Sequence, residues 1–536
     1  MAQEQKSPPP PPADEKPEAA KLMGGTHFET SRVPQYAATL VVDILHLIYG
    51  FGIAWSAIAL PVLIDSGGSG DFGGNGTVNG TDNGTSVDSG DSSDQKLTIT
   101  LEQGSWLAAV LYISAVPPMV IFSYICERFG RKMCGYLIGI PYVLSAVLMA
   151  FASSFAVIQV SRALLGIGSS GIFVLAPLYV AETVEDAIRG RLGAFVTLMR
   201  NVGILLTYLL GTFLTYKQFE YVSIIPPVLF VVSWYWMPES PMFLLRQNKV
   251  AEAEKALRWL RGGRADVLGE LDKMQASLAA MKSEGARSAT LRDLFATRGS
   301  RKAFFIGLLM SCNQQLCGFF GVVSYTFMIF GEASPVLKDW SNVIVGAMLV
   351  IGIAVSMMIY DKIRRKVLLL LSNFIMISTL LTLSVYFYLK HHGHDVSQFG
   401  WLPLTAMSGY VLGYSAGVAA LPIVILTEIF SPKIRNIALT TNGMFTWFII
   451  FLVTKTFPMM TEEIGFHGAC WFYMAWCFLG VFVIIRILPE TRNRSLESIL
   501  NELEYGKKKL NKTSSQNVAA FDEFPTLTNN EKKENL

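Results

Sequence analysis

Charge is scarce in this chain. Lys, Arg, Asp and Glu make up 16% of its 536 residues, against about 25% in soluble globular domains. Apolar residues reach 51% and the mean hydropathy is +0.41, so bulk composition favours a membrane protein. The net charge of +3 offers no basic field, and no nucleic-acid partner is expected. A GxxxxGK[ST] loop, the backbone cradle for nucleotide phosphates, is absent, so ATP drive is not expected. No nucleophile–base constellation appears, and the chain is not read as an enzyme. Cysteine is sparse: Cys126, Cys134, Cys312, Cys317, Cys470 and Cys477 lie in or beside apolar runs without zinc-ligand spacing. They read as small buried hydrophobes, and neither a metal nor a cofactor is expected. Strict period-two alternation is missing too, which argues against a barrel.

What is present is a series of long apolar runs. A spanning helix needs about 20 apolar residues, and twelve runs qualify: 38–64, 104–126, 133–152, 156–181, 191–214, 219–237, 303–330, 341–360, 366–389, 400–427, 436–459 and 467–488. Lipid leaves backbone polar groups no outside partner, so these are read as helices. Lys and Arg gather in short loops at 127–132, 182–191, 361–366 and 428–436. The positive-inside rule makes those loops cytosolic, and an even number of spans then puts both termini in the cytosol. Residues 1–37 are read as a disordered cytosolic tail without a cleavable signal, with the run Pro8 to Pro12 in polyproline II.

The loop 65–103 falls outside on this scheme. It is rich in Gly, Ser and Asp and carries Asn-Gly-Thr sequons at Asn75, Asn79 and Asn83, so a glycosylated external loop is expected. Residues 238–302 read as a cytosolic helical linker. In it KVAEAEKALRWLRG sets Ala253, Leu257 and Leu260 on one face. The segments 38–237 and 303–488 are expected to form two six-helix bundles, and 489–536 a cytosolic tail. HHGHD, with His391, His392 and His394, lacks the spacing of a dedicated metal site and reads as a solvated loop.

The charges at the run ends come in two copies. Glu182 and Arg189 are seven residues apart, as are Glu428 and Arg435. ERFGRK (Glu127, Arg131, Lys132) is matched by DKIRRK (Asp361, Arg365, Lys366). Pro238-Glu239-Ser240 is matched by Pro489-Glu490-Thr491. Two copies of one apolar array with matching end charges imply a carrier that rocks one half against the other around a midplane site.

These motifs, with SRALLGIGSSGIFVLAPLYVAE, PESP, NQQLCG and PETR in order, resemble the sugar porter family of the major facilitator superfamily. The stretch LVTKTF…HGACWF looks most like insect facilitated trehalose transporters. The resemblance covers about residues 38–500. It implies an all-α membrane fold of twelve transmembrane helices in two pseudo-symmetric six-helix bundles with a cytosolic helical insert. It implies facilitative carbohydrate transport by alternating access at the plasma membrane, with a sugar and the lipid bilayer as partners. It also implies that the repeated charges clamp the cytosolic face shut. Arg364 stands where the family usually has Gly.

Gln314 and Gln315 match the family's paired glutamines and are expected to bind solute. Thr197, Asn201, Thr446 and Trp447 are placed beside them. Several family sugar contacts are replaced: Phe320 and Leu349 stand for Asn, Ile423 after Pro422 for Trp, Ser415 for an acid, Thr446 for Asn and Thr197 for Gln. A different small solute therefore stays open, as does a non-transporting sensor. Three intramembrane charges call for an explanation. Arg200 lies roughly 13 Å into the fifth run at 1.5 Å per residue. It reads either as the ion-pair partner of Asp43 or as a solute contact. Arg162 matches the family's fourth-span Arg. Proton-coupled relatives carry Asp after Gly-Phe where Gly52 stands here, so Arg162 is expected to lack its usual partner, and a facilitator is favoured over a proton symporter. Asp43, with His46 one turn on, keeps the symporter open.

Overall fold

The computed structural model describes residues 31–64, 99–263, 267–283, 290–326, 329, 338–359, 362–431, 434–492, 494 and 496–505. The sequons at Asn75, Asn79 and Asn83 and the charge at Asp361 lie outside these. Among the described residues the protein is helical, with one isolated parallel bridge between Ile64 and Ile99. Ten helical stretches among the described residues are long and apolar enough to cross a membrane. Large apolar side chains such as Phe151, Phe374 and Phe482 stay exposed on their outer faces, as a surface meeting lipid rather than water requires. The protein is a multi-pass membrane protein.

The N-terminal half runs α1 (Val33–Leu63), α2 (Leu101–Ala115), α3 (Pro118–Phe129), α4 (Arg131–Ala150), α5 (Phe155–Thr183), α6 (Asp186–Phe213), α7 (Tyr216–Val222) and α8 (Ile225–Trp234). Thr100 starts α2 with a reciprocal cap: its hydroxyl accepts the Gln103 N–H, and the Gln103 side chain accepts the Thr100 N–H. Pro117 and Pro118 separate α2 from α3, because a proline ring cannot continue the preceding turn's hydrogen bonding. Pro226 and Pro227 do the same at the start of α8. The run 219–237 therefore forms two helices that are each too short to count as spanning. α1 and α6 cross closely at Gly50 and Gly203. A Cβ on Gly50 would sit 2.2 Å from the Arg200 carbonyl oxygen, and one on Gly203 would sit 2.2 Å from that of Leu47. Small residues permit this backbone approach.

The connecting segment holds α9 (Pro241–Arg246), α10 (Val250–Leu260), α11 (Leu268–Ser283) and a 3-10 turn at Leu291–Phe295. Leu244, Leu245, Ala253, Leu257 and Leu271 give it a small core of its own, which includes two of the three residues expected on the apolar face of α10; the third, Leu260, is buried as well. Arg261 moors it: the guanidinium donates to Glu270, and to the Thr183 carbonyl at 3.1 Å.

The C-terminal half runs α12 (Arg298–Gln315), α13 (Phe319–Ser324), α14 (Lys338–Ile359), α15 (Arg365–His391), α16 (Leu402–Gly413), a π-turn at Tyr414–Val418, α17 (Leu421–Ile429) and α18 (Arg435–Arg486), followed by α19 (Leu496–Tyr505). α18 joins two expected runs into one 52-residue element with a non-helical break at Gly465. Its ends and its middle lie at opposite ends of the molecule. Near its start Arg435 bonds Phe430, and near its finish Ile485 accepts from Lys366. In the middle, Lys455 meets Ser105 and His467 meets His391.

Candidate functional site

One end of the helix array carries a hydrogen-bond pattern that occurs twice. Arg131 opens α4, and its Nη2 donates to Glu182 Oε1 at 2.6 Å, with the two side chains 1% and 8% exposed. Glu239 accepts the N–H groups of Arg131 and Lys132 at 2.9 and 3.0 Å. An anion on a helix N-terminus is favoured by the unpaired donors and the helix dipole. The tight entry requires Gly130, at φ +100°, where a Cβ would sit 2.4 Å from the Glu239 carboxylate. In the C-terminal half Arg365 opens α15 and forks onto Glu428 through Nε at 2.9 Å and Nη2 at 2.5 Å. Glu490 accepts the N–H groups of Arg365 and Lys366 at 3.3 and 3.4 Å. Lys132 and Lys366 each reach a backbone carbonyl, of Tyr235 and Ile485. Arg189 and Arg435 each donate to a carbonyl five residues back, of Val184 and Phe430. Glu127 is exposed on α3. The sequence marked Glu239 and Glu490 as repeats without assigning their task, which is to cap α4 and α15.

Midway along the helices the expected solute residues divide. Gln314 and Gln315 close α12. Gln314 Nε2 donates to the carbonyls of Val418 at 3.0 Å and Ala419 at 2.9 Å, which ties α12 to the π-turn. Gln315 Nε2 donates to Gln314 Oε1 at 3.0 Å, and Gln315 Oε1 is buried without a partner. The Thr446 hydroxyl lies 2.9 Å from Ser311 Oγ and 2.8 Å from the Asn442 carbonyl. These contacts stay in the C-terminal half. Trp447 crosses to the other half, edge-on to Tyr49 at 5.5 Å and to Phe173 at 5.3 Å between ring centres. Asn201 also crosses, donating to the Leu349 carbonyl and Ser415 Oγ, each at 3.0 Å. Thr197 is half-buried on α6.

The intramembrane charges differ from expectation. Asp43 is not the partner of Arg200. Its Oδ1 lies 3.2 Å from His46 Nδ1 on the same helix, whereas the Arg200 backbone packs beside Gly50, seven residues or roughly 10 Å further along α1. Arg200 donates through Nε and Nη2 to Asn201 Oδ1, at 3.4 Å each. Arg162 is well supported without a carboxylate after Gly-Phe. It donates to the carbonyls of Gly52 at 2.6 Å and Leu107 at 3.0 Å and to Ser56 Oγ at 3.3 Å, and it stands 4.7 Å over the Trp55 ring. Trp55 Nε1 donates in turn to the buried Glu220 at 2.6 Å, a residue whose position inside an apolar run was the available signal.

At the opposite end Lys455 of α18 donates to Ser105 Oγ of α2 at 2.6 Å and stands 4.6 Å over the Trp106 ring. A lysine inside an apolar run was again the signal. Lys455→Met is expected to weaken this tie between the halves by about 1 kcal/mol. The readout is the melting temperature of the purified protein, expected to be lower for Lys455→Met than for the parent. Nearby, the His391 ring lies 5.3 Å from that of His467 and 5.6 Å from that of His392. Among the described residues no three His, Cys, Asp or Glu side chains form a metal-binding group. Asp395 accepts from the Ser397 hydroxyl and N–H, which hold its carboxyl below the ordinary value.

The pattern of the family described as sugar (and other) transporter matches residues 74–503. A facilitated trehalose transporter homolog of Drosophila simulans is 34% identical over 410 residues, covering 76% of this chain and 84% of that protein. The facilitated trehalose transporter of Polypedilum vanderplanki is 33% identical over 79% of this chain and 84% of its own length. Several other insect relatives are longer, and the chain spans about half their length, 52% for that of Anopheles gambiae. In three dimensions the chain resembles the xylose transporter XylE from E. coli in an inward open conformation. That match has a TM-score of 0.68 and 21% identity, and covers 87% of this chain and 99% of the other. The likeness establishes the fold.

Proposed function

This chain belongs to the sugar (and other) transporter family, and from that premise we propose that it is a facilitative carbohydrate carrier of the plasma membrane, working by alternating access. The observation that carries the proposal is the charge cluster repeated at one end of both halves, Arg131–Glu182–Glu239 and Arg365–Glu428–Glu490. Repeated clusters at matching helix ends suit two bundles that separate and close together there. Each pair is satisfied within its own half here, and cross-half contacts such as Lys455–Ser105 lie at the opposite end. Re-pairing of the charges across the halves would close the cluster end in the other state. A few kcal/mol suffices to shift such a two-state population.

We place twelve crossings in the chain. α18 spans about 78 Å at 1.5 Å per residue, more than twice a hydrocarbon core of about 30 Å, so its two arms on either side of Gly465 make two crossings. α7 and α8 together make another: Glu220 bonds Trp55 far along α1, while Trp234 Nε1 reaches the Lys132 carbonyl at the charged end. Segments 38–237 and 303–488 are then the two six-helix bundles, and 238–302 links them. The positive-inside rule makes the charged end cytosolic, which places both termini there and makes 65–103 an external loop with glycosylation at Asn75, Asn79 and Asn83.

The solute is proposed to be trehalose or a hexose, held at mid-depth by the free Gln315 acceptor, with Thr197, Asn201, Thr446 and Trp447 around it. No bound partner beyond solute and lipid is needed. The test is uptake of labelled trehalose and glucose in a non-transporting host with surface expression measured. The expected result is saturable uptake that survives collapse of the proton gradient. Uptake of neither sugar at good surface expression would overturn the substrate assignment, and collapse with the gradient would overturn the facilitator.

A further inference from the structure

Two arginines lie deep in the helix array, and they are solvated differently. Arg162 is surrounded by carbonyl oxygens and a hydroxyl, an indole face and the nearby Glu220. Its charge is accounted for inside the fold. Arg200 is 9% exposed, and its hydrogen bonds go to a single neutral acceptor, Asn201 Oδ1, at 3.4 Å. That oxygen is at the long limit of hydrogen bonding. Among the described residues no carboxylate pairs with Arg200. Asp43 faces His46 instead.

The surroundings of Arg200 are the mid-depth surfaces where the two halves meet. The neighbouring Asn201 amide is bound to Leu349 and Ser415 of the other half. The Tyr49 and Tyr414 hydroxyls lie within electrostatic range of the guanidinium. Tyr49 packs on Trp447, and Tyr414 stacks on Phe319 at 3.8 Å. All of these groups are neutral. Among the described residues these surroundings hold one positive charge, that of Arg200, and no paired carboxylate. A buried charge without a partner costs several kcal/mol, and in a membrane interior such a group marks a solute path.

We propose that Arg200 is a specificity-determining residue that binds the carboxylate of an acidic monosaccharide, so that the carrier takes uronate-class sugars in preference to neutral ones. The inference rests on the carrier reading above and deepens it at the same site. A carboxylate matches the planar fork of a guanidinium. It also neutralises the single charge, whereas a phosphate monoester dianion would leave an uncompensated negative charge in the same neutral surroundings. The tyrosine hydroxyls and Gln315 remain for the sugar hydroxyls.

The experiment measures binding and uptake separately on the full chain. Purified protein is titrated with glucuronate, glucose and glucose 6-phosphate in a thermal-shift assay, and labelled glucuronate and glucose uptake are measured in cells. Glucuronate is expected to bind at least about tenfold tighter than glucose, the value of one charge-assisted hydrogen bond. Arg200→Gln is expected to erase that preference, and Arg200→Lys to restore part of it. Equal or weaker binding of glucuronate in the wild type overturns the proposal without recourse to any variant. So does a preference that survives Arg200→Gln, or tighter binding of the sugar phosphate. Glucuronate preference with no glucose or trehalose uptake would support the inference while removing the neutral-sugar assignment. Saturable glucose uptake with no glucuronate binding would do the reverse.

Discussion

Glu182→Gln is expected to destabilise the protein by about 3 kcal/mol or more, the cost of stranding one member of a buried ion pair. Arg131 is 1% exposed. Without Glu182 its remaining contacts are the Cys126 carbonyl at 3.1 Å and the Phe243 ring at 5.0 Å, and its Nε already lacks an acceptor. The matching pair in the other half behaves differently because Arg365 and Glu428 are 14% and 28% exposed. Glu428→Gln is expected to cost only about 1 kcal/mol. Thermal unfolding of the purified variants checks this, with a markedly lower melting temperature for Glu182→Gln than for Glu428→Gln. Equal losses would mean that burial does not set the cost. The milder variant then isolates the gate: Glu428→Gln is expected to reach the surface normally but to exchange solute much more slowly. Unchanged exchange would remove these charges from the mechanism.

The twofold charge pattern is legible in the sequence as two matching sets of charges at the ends of apolar runs, although the ion pairs they form join residues 51 apart (Arg131 and Glu182) and 63 apart (Arg365 and Glu428). So is the apolar face of α10, where Ala253, Leu257 and Leu260 are buried. The span count is harder to read. Apolar length sees 436–459 and 467–488 as two runs, but the helix continues through the polar stretch between them and breaks only at Gly465. Pairings between helices are less accessible still. Asp43 and Arg200 match by depth, yet depth fixes only height along a helix and not which face points where. The Gly50–Gly203 crossing sets that rotation, and it puts Arg200 beside Gly50 rather than Asp43. Glu220 and Lys455 are visible as charges in apolar runs. Their partners Trp55 and Ser105 are 165 and 350 residues away, and no periodicity reports such contacts.

Gln315→Leu is expected to lower kcat/KM for the transported carbohydrate by about ten- to a hundredfold, and Gln314→Leu to act mainly on the fold. The two glutamines are adjacent in a family motif, so sequence treats them alike, and their hydrogen bonds separate them. Gln314 spends both amide donors on the Val418 and Ala419 carbonyls, where the π-turn leaves backbone oxygens outside the regular helical ladder. Removing it strands two carbonyls, at about 1–3 kcal/mol for unpaired buried polar groups. The melting temperature should fall, and KM should follow only as the turn shifts. Gln315 donates to its neighbour and keeps an unpaired buried oxygen. Such an oxygen is costly in the empty site and is repaid when a sugar hydroxyl donates to it. A site built to bond a hydroxyl discriminates strongly once that bond is made or lost. Leucine at 315 removes the acceptor while filling similar volume, so stability should change little and KM should rise. Kinetics and unfolding measured on both variants decide between the assignments. The opposite split, with a high KM at 314 and instability at 315, would move the sugar contact to Gln314 and make Gln315 the brace.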